Sequence, residues 1–152
     1  MRFPVEIMIT NKKLSYRDMI TPGDIPEPHE SVESFEGYMN VKGKRLTIDY
    51  KEYFDDGEIA DTSVMLEDDL ALISRRSDEM ITNLVFRQGA VYDCVCYNGY
   101  RNMNLRVSTR RMKSDMSAIG GKLNIDYTIE ILGNVAETNS ICVSVCPTDS
   151  VS

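Results

Sequence analysis

From Leu123 to Ile131 the apolar residues fall on every second position: Leu123, Ile125, Tyr127, Ile129 and Ile131. Asn124, Asp126, Thr128 and Glu130 stand between them. A period of two puts all the apolar side chains on one face of a strand and all the polar ones on the other; a helix would scatter them around its axis. The same beat flanks this segment, in Met103-x-Leu105-x-Val107-x-Thr109 before it and in Asn139-x-Ile141-x-Val143-x-Val145 after it. The stretch from Met103 to Val145 therefore predicts three long neighbouring strands, each with one buried face.

The rest of the chain repeats this pattern between turn signals. Val5, Ile7 and Ile9 alternate with Glu6, Met8 and Thr10 in a first strand. Residues 14–30 interrupt it. Pro22, Gly23, Pro26 and Pro28 mark a Pro-containing loop insertion with a turn of helix over 15–20, read either as a variable surface insertion or as a lid. Residues 32–41 read as a strand in which Gly37 marks a bulge or a close backbone approach. After the Lys42-Gly43-Lys44 turn, residues 45–54 carry Leu46, Ile48, Tyr50 and Phe54 on one face. Further strands are expected at 59–66, 70–76, 80–87, 91–98, 102–112, 122–132 and 136–145. Asp55-Asp56-Gly57, Glu67-Asp68-Asp69, Ser77-Asp78, Gln88-Gly89, Asn98-Gly99 and Gly133-Asn134 separate most of them. Residues 147–152 read as a flexible tail. That is about ten short strands with no helical period longer than a turn or two. Sequential hairpins make an antiparallel meander, and closing it removes both exposed edges. The expectation is a single all-β domain over 1–152, an up-and-down antiparallel barrel of roughly eight to ten strands, with a two-sheet sandwich as the alternative.

A chain of 152 residues buries enough surface to fold without metal or disulfide. Its net charge of −7 and pI near 4.7 argue against nucleic acid and anionic membranes, both of which need clustered cations. Arg106, Arg110, Arg111 and Lys113 form the one dense basic run, and strand parity splits it between two faces. Nothing at the N-terminus reads as a signal peptide, and no apolar run reaches membrane-spanning length. The expected location is cytoplasmic, with the four cysteines as reduced thiols.

One set of residues carries a family resemblance: Arg76, Phe86-x-x-Gly89, Tyr100, Met103-x-Leu105-x-Val107-x-Thr109, Gly120-Gly121 with the alternating row to Ile131, and Asn139 to Val145. In these the chain resembles the YwiB-like family of small bacterial proteins of unknown function. The resemblance spans roughly 34–145, runs without a gap from Phe86 to Ile131, and leaves 14–30 outside. It implies a calycin-like, lipocalin-like β-barrel and brings no established activity. Two glycines of the family pattern are replaced near turns, by Asp78 and by Arg101. Cys94 and Cys96 look peculiar to this chain.

Candidate chemistry is sparse. His29 stands alone in the Pro-rich loop, without nearby ligands or a nucleophile. Cys94 and Cys96 share a strand face roughly 6–7 Å apart, whereas Cys142 and Cys146 lie roughly 13 Å apart, too far to chelate one ion together. No metal or cofactor is expected. The acidic turns lack the spacing of an EF-hand loop. Arg76 is the most informative polar residue. If Leu70, Leu72 and Ser74 face inward, so does Arg76, near a barrel end, where it could hold an anionic head group with Tyr50 and Tyr127, beside Glu52. A bulge would put Arg75 there instead. A structural Arg–carboxylate pair among core tyrosines explains the same residues. Three functions stay open. The first is a non-enzymatic barrel binding a small, partly apolar or carboxylate-bearing ligand. The second is a filled barrel that acts as an interaction module or homodimer. The third is a cavity enzyme using Arg76, Tyr50, Tyr127 and Glu52 for acid–base work.

Overall fold

Tight turns make sequence neighbours into spatial neighbours, and here they do so all the way round. The computed structural model describes residues 1–16, 27–99 and 101–148. Its strands are β1 (Arg2–Ser15), β2 (Pro28–Lys42), β3 (Arg45–Tyr53), β4 (Ile59–Glu67), β5 (Leu70–Arg76), β6 (Ile81–Phe86), β7 (Val91–Tyr97), β8 (Asn102–Ser114), β9 (Gly121–Ile131) and β10 (Asn134–Pro147). Each pairs antiparallel with its sequence neighbours, and β1 also pairs with β10, which closes a ten-stranded up-and-down barrel. The sandwich alternative is thereby excluded.

Five sequence expectations change in detail. First, β1 and β2 run on into the predicted loop: Leu14 pairs with Pro28, and Lys13 with His29. Leu14 falls on the opposite face from the Val5–Ile9 row, and Pro28 opens β2 at a strand start, where proline is tolerated. The helical turn and the lid fall on residues that lie mostly outside those described. Second, Phe54 leaves the inward row after Glu52, because β3 ends at Tyr53, and is exposed. Third, the predicted tail is tied down at its start: Pro147 belongs to β10, and the Thr148 N–H donates to the Pro4 carbonyl. Fourth, a bulge between Thr109 and Arg111 shifts the parity of β8, so Arg106, Arg110, Arg111 and Lys113 are all exposed instead of being split between faces. Asp93, Asp126 and Glu130 lie opposite this run on β7 and β9, so the outer surface there is of mixed charge. Fifth, the 77–80 turn closes without a positive φ at Asp78, through a Ser77 N–H to Met80 carbonyl bond.

The inward rows form a continuous apolar core. Val5, Ile7, Met39, Ile48, Val64, Phe86, Val107, Leu123, Ile125 and Val143 are almost wholly buried. Phe86 meets Tyr127 edge to face at 4.7 Å, an arrangement aromatic quadrupoles favour. Gly37 pairs with Tyr50 at the end of the β2–β3 register. A methyl group there would strike the Asp49 carbonyl oxygen and come within 2.9 Å of Ile7 Cδ1 and 3.0 Å of Tyr50 Cβ.

Two seams are incomplete. The β2–β3 register runs from Gly37–Tyr50 to Lys42–Arg45, so the first part of β2 pairs only with β1. The β6–β7 register holds just Ile81–Tyr97 and Thr82–Cys96.

Candidate functional site

Polar residues end the inward rows at one mouth of the barrel. On β1 the row Val5, Ile7, Ile9 continues into Asn11 and Lys13; on β10 the row Val145, Val143, Ile141 continues into Asn139 and Glu137. On β3, β4 and β5 the corresponding residues are Tyr50 and Glu52, Thr62, and Arg75. They surround a cavity of about 460 Å³. Its deeper wall is apolar, with Val64, Ile73, Leu105, Ile129, Ile141 and Val143. Below it, side chains such as Leu46, Ile48, Phe86 and Ile125 pack the other half of the barrel shut.

An ion pair crosses one side of the cavity. Arg75 Nη2 donates to Glu52 Oε1 at 2.8 Å, with the Glu52 side chain buried and that of Arg75 45% exposed. On the opposite side, Asn139 Nδ2 donates to Glu137 Oε1 at 3.2 Å, and Lys13 Nζ lies 3.8 Å from Glu137 Oε2. Because a carboxylate can only accept, the first of these bonds fixes which way the Asn139 amide points. Asn139 is 1% exposed, and neither its Oδ1 nor that of Asn11 has a hydrogen-bond partner among the described residues. The Thr62 hydroxyl lies beside the Tyr50 phenol without a well-directed hydrogen bond. Burial, reinforced at Tyr50 by Glu52 and at Tyr127 by Glu137, pushes both phenols far above their ordinary pKa. They stay protonated and act as hydrogen-bonding groups, not as bases.

Phe35, Tyr50, Thr62 and Arg75 also line a second, outer groove of about 910 Å³ beside the incomplete β2–β3 seam. Their side chains are the partition between that groove and the cavity.

With this geometry in view, the relatives can be placed. The profile of a domain of unknown function, DUF1934, matches residues 20–143, most of the chain. The chain belongs to the DUF1934 family. The match begins well before the resemblance seen in the sequence and takes in residues 20–30 of the 14–30 segment. The crystal structure of the ywiB protein from Bacillus subtilis superposes with a TM-score of 0.75 over 97% of this chain and 93% of that one, at 18% identity. That likeness is one of fold. No curated protein matches the sequence.

The residues expected at a DUF1934 interior site are redistributed by the structure. Tyr50, Tyr127 and Glu52 line the cavity together. Arg76 does not join them: it faces outward into the outer groove, and Arg75 takes the inward position. The hairpin register is the reason. The two-residue turn Asp68-Asp69 pairs Glu67 with Leu70, so Leu66 meets Ala71, Val64 meets Ile73 and Thr62 meets Arg75. Ala71 and Ile73 are therefore inward, and Leu70, Leu72, Ser74 and Arg76 outward. Asn139, Glu137, Asn11 and Lys13 escaped notice, although carrying the apolar parity of β1 and β10 two steps further reaches all four.

The cysteines and the histidine stand apart from this group or at its edge. Cys94 and Cys96 face inward on β7, and burial raises the Cys94 thiol's pKa. Cys142 and Cys146 lie outward on β10, and His29 is exposed on β2. Among the described residues no three His, Cys, Asp or Glu side chains converge as a metal site requires. The Asp56 carboxylate instead accepts the Glu58 N–H, a turn-forming role.

Proposed function

We propose that this DUF1934 barrel is a binding protein whose ligand is a small molecule with an apolar body, held in the open half of the interior. One observation carries the reading: a cavity of about 460 Å³ with mostly apolar walls that also contains buried polar atoms without a partner among the described residues. Small-molecule sites are typically cavities of roughly 300–1,000 Å³ built in this way, with a few fixed polar groups for orientation. A barrel serving only as a scaffold would be filled by its own side chains, as the opposite half is. Catalysis by a general base is less well supported, because the two phenols stay protonated and Glu52 is engaged by Arg75. A carboxylate on the ligand would have to share Arg75 with Glu52.

Native mass spectrometry of protein purified without unfolding tests the reading. The expected spectrum shows a small adduct that is lost on denaturation, and the same spectrum registers any homodimer. Protein that emerges empty and also fails to bind the neutral apolar dye N-phenyl-1-naphthylamine would sink the proposal.

A further inference from the structure

The polar atoms in the cavity are not evenly divided between donors and acceptors. The two cationic side chains that line it are both engaged, Arg75 by Glu52 and Lys13 by Glu137. The amide donor of Asn139 is engaged by Glu137 as well. Among the described residues, what remains without a hydrogen-bond partner is mostly acceptor capacity: Asn139 Oδ1 and Asn11 Oδ1, diagonal neighbours across β10 and β1, beside the Thr62 hydroxyl, which can donate or accept. Of the charged groups on the wall, Glu33, Glu52 and Glu137 outnumber Lys13 and Arg75. An incoming carboxylate would meet more like charge than opposite charge, and it would give Asn139 Oδ1 nothing to accept.

We propose that the polar end of the ligand is a protonated amine, docked against Asn139 Oδ1 and the Glu137 carboxylate, while its apolar body lies on the Ile129–Val143 side of the cavity. The inference rests on the binding reading above and narrows it to small organic amines. An ammonium brings three donors and no acceptor, which complements this wall. Its charge would share Glu137 with Lys13, whose contact at 3.8 Å is longer than a hydrogen bond, whereas a carboxylate would have to share Arg75 with a 2.8 Å partner; Asn139 already holds Glu137 in place. Tyr127, Tyr50 and Phe35 border the same space, and a ring face turned to a ligand favours a cation over an anion.

Octylamine, octanol and octanoate share one chain length and differ in head group. Their affinities are measured by displacement of N-phenyl-1-naphthylamine from the intact protein and by calorimetry. Octylamine is expected to bind at least about tenfold more tightly than octanoate, with octanol between, the size of one charge-assisted hydrogen bond. Glu137→Gln should weaken octylamine by about the same factor and change octanol by less than about twofold, since it removes charge while keeping shape. Octanoate equal to or tighter than octylamine overturns the amine assignment while leaving the binding reading standing. Failure of the dye and all three probes to bind overturns the binding reading itself. Equal losses for octylamine and octanol in Glu137→Gln would show that Glu137 only supports the fold.

Discussion

Two adjacent arginines on β5 carry the same charge and meet opposite fates. Arg75 holds the buried carboxylate of Glu52; Arg76 faces outward. Removing one partner of a fully buried pair costs about 3–5 kcal/mol, because the other charge is left without compensation. Arg75 is half exposed, so water screens much of that cost, and Arg75→Ala is expected to destabilise the fold by about 1–2 kcal/mol. Arg76→Ala should stay within about 0.5 kcal/mol of the parent. Urea denaturation of the two variants side by side checks this; equal effects would show that the pair contributes nothing specific. Parity alone could not separate the two, because both rows of β5 begin apolar, Leu70 and Leu72 on one and Ala71 and Ile73 on the other. The deciding information was non-local. It lay in the inward row of β4 carried across a two-residue turn. Tyr50, Tyr127 and Glu52 were legible because each continues an unambiguous apolar row. Asn11 was hidden because a polar residue at the end of such a row reads as the start of a loop; Asn139 was legible as a strand residue, but alternation does not say that a polar member of the row borders a cavity.

At the scale of elements, the strands and turns were readable almost throughout, since alternation and turn residues agree from β3 to β10. The ends of β1 and β2 were not. Their pairing beyond Ile9 is held by polar residues and by Pro28, which carry turn signals in isolation. Gly37 shows how one residue governs an element. It is buried, and the space its missing side chain leaves is taken by Asp49, Ile7 and Tyr50. Gly37→Ala should cost about 1–3 kcal/mol, as overpacking of a filled site does, although alanine prefers strand conformation at least as well as glycine. Circular dichroism thermal melts measure the loss. An unchanged melting temperature would mean that β2 and β3 can part at that point without penalty, and that the close approach there is not what ends their pairing.

For the whole molecule, the two buried phenols set a limit on alkaline stability. Their folded-state pKa values are raised, first by burial, so their contribution is intact below the unfolded value of about 10 and is lost as pH rises from there toward the folded value. Over that window the unfolded chain releases protons that the folded barrel retains, at up to about 1.4 kcal/mol per pH unit for each phenol. Urea midpoints should therefore fall between about pH 9 and pH 11, and fall less steeply in a Tyr50→Phe, Tyr127→Phe double variant. Parallel slopes for parent and variant would show that neither phenol is as shielded as its position implies. The barrel itself was legible because closure is the simplest way for a long meander to lose its edges. The hollow half was not, because strand patterns say which way a side chain points and not whether the space it points into is filled.

If the barrel holds the ligand proposed above, the thin partition of Phe35, Tyr50, Thr62 and Arg75 bears on how long that ligand stays. In a barrel with unbroken walls, arrival and departure share one doorway, and any loop over the mouth sets both rates. Here the incomplete β2–β3 seam leaves a single layer of side chains on a second route, and Arg75, one of that layer, is anchored to Glu52 on β3. Residence time would then depend on how often that ion pair and the ring of Phe35 swing aside, so escape and affinity could be tuned separately. Shortening Arg75 would speed release more than it weakens binding.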